Sequence, residues 1–221
     1  EQIIQILTHW TSESFKKEEA NVLNLFHKRV DGVIASLAFD TKNLDHFQPF
    51  FDKNIPVIFF DRVEENSDHA KVVIDNYKNG YQATQHLIDQ GCKRIVIVTA
   101  NLNRNVYAQR FRGYKDALAN NGIVFDEKHV LIKDLSEKCG REAAEQILAM
   151  NPRPDAAFIT NDFSAAVCMQ TLKENGVRIP EDIAIVGFNN DTISKIVEPE
   201  LTTINYPGIE IGEITARKLI A

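Results

Sequence analysis

Metal-ligand spacings, catalytic loops and membrane-length apolar runs are all missing from this sequence. Its three cysteines, Cys92, Cys139 and Cys168, are odd in number and far apart. No CxxC or Cys/His cluster joins them, which does not support zinc or a disulfide and fits buried thiols in a reducing compartment. No GxGxxG follows a strand, no GxxxxGK(S/T) cradles phosphate, and neither GxSxG nor HExxH occurs. The six histidines, His9, His27, His46, His69, His86 and His129, fall singly, with no neighbour at ligand or triad spacing. No apolar run reaches the length of a membrane span, and no signal peptide opens the chain. Positive charge is also in deficit, with 25 Lys+Arg against 31 Asp+Glu and a net charge of −6. Domains that grip phosphates are usually basic, so this segment is a poor nucleic-acid binder by itself. No catalytic residue, cofactor or metal is assigned, and an enzymatic reading has little to rest on.

What is present is regular. The 221 residues are 44% hydrophobic and 25% charged, ordinary for a globular protein with one large or two modest domains. The stretch Arg178 to Asn205 organises the rest. Ile183 to Val186 is a continuous apolar run, as in a strand buried on both faces of a parallel sheet. Gly187 is expected to let the backbone turn out of the sheet. Leu201 to Asn205 reads as a second strand, reached from the first without a long helix.

Upstream, strands are expected at 3–8, 33–36, 57–60, 72–74, 95–99, 130–133 and 157–160. Helices are expected from Ser12 or Ser14 to about 29, and at 44–52, 79–90, 108–121, 141–150, 163–175 and 211–219. Gly91, Gly122 and Gly176 each follow a helix as left-handed caps. Strands alternating with helices predict an α/β fold of doubly wound parallel sheets, and the strand count suits two sheets better than one.

Polar residues recur at the carboxyl ends of these strands, where open α/β sheets bind ligands. They are Asp61, Asp75, Asn161 with Asp162, and Asn189 to Asp191, with Arg104 and Arg110 after a further strand. Carboxylates, amides and a guanidinium fork are what a polyhydroxylated or heterocyclic ligand requires. Asp and Asn also cap helices, and each of these positions is read as preceding one. Trp10, Phe60, Tyr107 and Phe163 sit where they could stack on a ring or form the rim of the core.

Five motifs stand out: PEDIAIVGFNN (180–190), PELTTIN (199–205), RFRGY (110–114), NDFSA (161–165) and DNYKNG (75–80). In these the chain resembles the LacI/GalR family of bacterial transcription regulators. The resemblance implies two doubly wound lobes of periplasmic-binding-protein type, with a ligand cleft between them. The first would comprise residues 1–75 and 206–221, and the second 76–205. It implies that Arg110 contacts the effector, that Asn161 and Asp75 face it, that Arg104 takes the place of a second arginine used by some purine-binding members, and that Asp61 lies beside a pocket position. Phe60, as a ring that could stack, is a further candidate site residue. Leu135 stands where members often place a stacking aromatic, and Asn189 where they carry an aspartate. The family's helix-turn-helix, the first strand and helix of its core, and its C-terminal continuation are missing, so a fragment is expected. The implied protein is cytoplasmic and homodimeric. It would sense a small polar effector, a sugar or sugar derivative before a nucleobase, and control operator DNA allosterically. The rival readings are an exported sugar-binding protein of a transport system, and a doubly wound enzyme whose nucleophile or cofactor loop the sequence does not show.

Overall fold

The computed structural model describes residues 11–221. The chain folds as two compact units, one of residues up to Val73 together with Gly208–Ala221, the other Ile74–Pro207. The expected strand at 3–8, and Trp10, lie outside the described residues.

In the first unit, α1 (Phe15–His27) is followed by β1 (Val33–Ala35), the short α2 (Gln48–Asp52), β2 (Val57–Phe60) and β3 (Lys71–Val72). The three described strands are parallel, in the order β1-β2-β3. The last helix, α7 (Gly208–Ile220), packs on all three strands. Val22, Val33, Leu37, Phe47, Phe50, Val57, Phe59 and Val63 form the core. Phe47 and Phe59 meet edge to face, with centroids 5.1 Å apart. Ser14 is the residue that opens α1, although its side chain makes no cap bond. The helix also buries a charge that no apolar pattern announces. Glu18 accepts the Ala38 amide at 2.5 Å and the Thr41 hydroxyl at 2.9 Å, with His46 Nε2 2.8 Å away. Those donors make its burial tolerable and fasten the loop after β1 to α1.

The second unit is a five-stranded parallel sheet. Its elements are α3 (Asn76–Asp89), β4 (Ile95–Thr99), α4 (Asn105–Asn120), β5 (Val130–Ile132), α5 (Glu137–Ala149), β6 (Ala156–Ile159), α6 (Asp162–Glu174), β7 (Ala184–Asn189) and β8 (Thr202–Asn205). The strand order is β5-β4-β6-β7-β8, with every pair parallel. Side chains of successive strand residues point to opposite faces, so each strand feeds two cores. Val96, Val98, Ala157, Ile159 and Ile185 pack under Ala143, Ile147, Met169 and Leu172 of α5 and α6. Ile95, Ile97, Phe158, Val186 and Phe188 pack under Leu87, Tyr114 and Leu118 of α3 and α4. Full burial of a side chain such as Phe158 contributes about 1.5–3 kcal/mol.

Three local expectations are corrected. Helix α4 starts at Asn105 rather than Ala108, so Arg110 lies inside the helix and Arg104, not a later residue, precedes its first turn. Asp61 does not precede a helix: it sits at φ 55° in the loop after β2. Gly187 does not turn the chain out of the sheet. It lies within β7 opposite Thr203, and a Cβ there would fall 2.1 Å from Asp162 Oδ1.

Helices α3 and α4 touch backbone to backbone. A Cβ on Gly80 would lie 2.3 Å from the Arg110 carbonyl oxygen, and one on Gly113 would lie 2.3 Å from that of Tyr77. Gly113→Ala therefore has to push the helices apart. The expected cost is about 1–3 kcal/mol, read as a lower urea midpoint with an unchanged m-value.

Before β7, Arg178 donates to Asp182 from its amide, Nε and Nη2, at 2.9, 3.0 and 2.5 Å. These bonds hold the Asp182 carboxyl down at about 2. A depressed carboxylate contributes stability above its ordinary pKa of about 4 and loses it as pH falls through the folded value. Asp182→Asn should thus lower the Tm at pH 7. The gap from the native chain should shrink between pH ~4 and ~2, as thermal melts over that range would show.

Candidate functional site

The order β5-β4-β6-β7-β8 places consecutive connections on opposite sides of β4. Chains leaving β4 and β6 therefore diverge at their carboxyl ends, and this switch point is where open α/β sheets form a binding crevice. Three of the expected residues follow the carboxyl ends of these two neighbouring strands: Arg104 and Arg110 after β4, and Asn161 after β6.

Arg110 is 4% exposed. Its Nε donates to Asn76 Oδ1 at 2.9 Å and its Nη1 to the Thr160 carbonyl at 3.2 Å. The guanidinium carbon lies 3.5 Å from the centre of the Phe188 ring, and 5.6 Å from that of Tyr107. A planar cation on an aromatic face is stabilised by the ring quadrupole and held in one orientation. Helix α3, the residue directly after strand β6, and strand β7 all contribute to that seat. The glycines of the α3–α4 contact allow it, because Gly80 rests against the backbone of Arg110 itself.

Asn161 opens α6, and its Oδ1 accepts the Ser164 amide at 3.0 Å. Asp75 opens α3 and accepts the Lys78 amide at 2.8 Å. Both thus cap helices, as the sequence allowed. The inward-facing polar residue beside Asp75 is its neighbour Asn76, 4% exposed, which holds Arg110. Arg104, 6% exposed, opens α4. Leu135 is half-buried at φ 60° and packs against the α5–α6 core, as an aliphatic side chain rather than a stacking face.

At the end of β7 the backbone takes positive φ at Asn189 (122°), its last residue, and at Asn190 (58°), which follows. Asn189 donates from Nδ2 to Asp191 Oδ2 at 3.1 Å, and its carbonyl accepts the Tyr206 amide at 3.1 Å. Asn190 Nδ2 donates to Asn205 Oδ1 at 3.0 Å. In the first unit, Phe60 ends β2 half-buried and Asp61 follows it, its amide donating to the Val72 carbonyl at 3.2 Å. Tyr107 is half-buried on α4 beside Arg110, while Phe163 is exposed on the first turn of α6.

Sequence reasoning passed over Asn76, Thr203 and the structural weight of Asp162. Asp162 is fully buried, and desolvation pushes its carboxyl up despite donors from Thr203, the Asp191 amide and the Phe188 amide. The one signal for it in the sequence was its place directly after Asn161. Among the described residues, no group of three or more His, Cys, Asp or Glu side chains could hold a metal ion. No helix among them is long and apolar enough to cross a membrane. An open groove of about 570 Å³ lies in the first unit, lined by Lys71, Val72, Val73, Ile214, Arg217 and Lys218. It contains none of the expected site residues.

The family model for periplasmic binding proteins and the sugar-binding domain of the LacI family matches residues 11–221. The chain belongs to this family. Among curated LacI-type relatives, the HTH-type transcriptional repressor PurR of Vibrio atlanticus is 32% identical over 205 residues, 92% of this chain and 60% of that protein. Catabolite control protein A of Priestia megaterium is 30% identical over 210 residues, 94% of this chain and 63% of that protein. The chain therefore spans somewhat under two thirds of these relatives. Among solved structures, the transcriptional regulator CelR–cellobiose complex superposes with a TM-score of 0.83 at 30% identity, covering 94% of this chain and 63% of that one. The transcription regulator CcpA of Lactococcus lactis gives 0.86 at 27% identity, covering 95% and 76%.

Because Arg110 also bonds Asn76 and Thr160, its removal should cost stability. Arg110→Ala leaves two buried acceptors unpaired, and the expected loss is about 1–3 kcal/mol, read from urea unfolding of the folded variant.

Proposed function

We propose that this chain is the effector-binding domain of a LacI-family transcription regulator whose ligand is a small polar molecule, a sugar or sugar derivative. The observation that carries the reading is the buried Arg110, seated on Phe188 at the sheet's switch point between the ends of β4 and β6. A guanidinium fixed by an aromatic face and an amide presents donors in a rigid fork, suited to hydroxyl and carbonyl oxygens. Asn161 and Asn189, each at the end of a neighbouring strand, add amides that both donate and accept. Arg104 adds a second cation, Asp75 an acceptor and Leu135 an apolar edge. PurR among the relatives named above is a transcriptional repressor, CcpA of Lactococcus lactis is a transcription regulator, and CelR is a transcriptional regulator in complex with cellobiose. This favours a regulator over an exported transport protein.

In this reading the intact regulator is a cytoplasmic homodimer that meets operator DNA through a helix-turn-helix domain outside this chain. Effector binding shifts it between two conformations, and only a ligand with different affinities for the two can switch it.

A thermal-shift screen of sugars, sugar phosphates and purines tests the ligand class. A true effector should stabilise the chain by about 2.7 kcal/mol at ~100-fold excess over Kd. Arg110→Ala should bind that effector tenfold or more weakly, since loss of a charged hydrogen-bond partner costs about 1.5–3 kcal/mol. Equal affinities would remove Arg110 from the site, and a response confined to large apolar ligands would overturn the ligand class.

A further inference from the structure

Asp162 spends a fully buried carboxylate on one short segment. Its Oδ1 accepts the Thr203 hydroxyl at 2.6 Å, and its Oδ2 accepts the Asp191 amide at 2.8 Å. The Phe188 amide is a third donor. The Thr203 hydroxyl oxygen in turn accepts the Asn190 amide at 3.3 Å. Two consecutive amides of the turn after β7 are thus tied to one side chain, Asp191 directly and Asn190 through Thr203.

The turn needs such a tie. Asn189 and Asn190 both stand at positive φ, and Asn189 at 122° lies where non-glycine residues are rare. Strained backbone of this kind persists only where its surroundings over-determine it. The space for the carboxylate is itself specified by sequence, because any side chain at Gly187 would collide with Oδ1. Helix α6, strand β7 and strand β8 therefore converge on the first residue of α6, next to Asn161.

We propose that Asp162 is a positioning residue for ligand recognition. It locks the Asn189–Asp191 turn in its left-handed geometry and so sets where Asn189 is presented, without touching ligand itself. The part that concerns affinity rests on the ligand-binding role given to Asn189 above; the lock itself does not.

Two arms separate these. The first needs no ligand: amide hydrogen exchange of the folded chain, native and Asp162→Asn, followed residue by residue. The substitution keeps shape but replaces one accepting oxygen with an amide donor and removes the negative charge that the donors share. Exchange at Asn190 and Asp191 should accelerate by about tenfold or more, the worth of a charged hydrogen bond, with Val96–Val98 and Phe158 unchanged. Thr203→Val should free Asn190 and Thr203→Ser should restore it, and this pair reports the lock even if Asp162→Asn fails to fold. Unchanged rates at both amides, or a uniform acceleration across the whole unit, would overturn the lock.

The second arm uses cellobiose as probe and calorimetric titration. Asp162→Asn should weaken binding by about tenfold in the native background and by less than about twofold in Asn189→Ala. Equal losses in both backgrounds would overturn action through Asn189. If the native chain takes neither cellobiose nor any sugar of the thermal-shift screen, the ligand reading fails, and the exchange arm alone decides the lock.

Discussion

Two glycines facing each other across α3 and α4 decide where everything else in the second unit can go. Gly80 lies against the Arg110 backbone and Gly113 against the Tyr77 carbonyl, and no Cβ fits at either place. Helices separated by side chains pack about 8–10 Å apart; these two approach until backbone meets backbone. That approach puts the first turn of α3 beside the second turn of α4, so that Asn76 can reach Arg110. The same approach lays the guanidinium over Phe188, a residue of the core beneath. A packing constraint thereby orients the buried Arg110 guanidinium.

Polar burial of this kind recurs, each time with donors supplied from a distant part of the chain. Glu18 is met by Ala38, Thr41 and His46, and Asp162 by Phe188, Asp191 and Thr203. Both carboxylates sit on the first turn or two of a helix that follows a loop, where the helix dipole favours negative charge. Both fasten loops that leave a strand's carboxyl end. In doubly wound sheets that edge carries the ligand chemistry, and rigid loops there keep polar groups at fixed positions without help from regular backbone ladders.

The connection from β7 to β8 shows the reason such fastening is required. It runs parallel to parallel without an α-helix, through only a single 3-10 turn, Thr192–Lys195. A crossover helix would normally cover the strands with its own apolar face. Here Leu201 and the Asp162 knot do that work: Leu201 joins the α5–α6 core, and the carboxylate gathers the amides that a helix would have paired internally. The absence of a helix in this stretch was legible in the sequence. The means by which the chain manages without one was not.

The alternation of apolar runs with helical periods, the left-handed glycine caps and the quoted motifs were enough to determine the α/β class, the approximate positions of the described strands and the family. Strands β2 and β4 stand where their apolar runs lie, and Gly91, Gly122 and Gly176 all take positive φ. Local sequence sufficed because burial on both faces of a parallel strand leaves an unbroken apolar run as its record. It did not suffice for the roles of single polar residues. Asp75 and Asn76 are adjacent, yet one caps a helix and the other holds Arg110; Asn161 and Asp162 divide in the same way. Gly187 read as a turn and proved to be room for a carboxylate 25 residues away in sequence. Such assignments depend on which donors and which empty volumes arrive from other elements. Only the packed sheet and its helices bring those together, because a buried polar group takes its role from its partners and not from its neighbours in the chain.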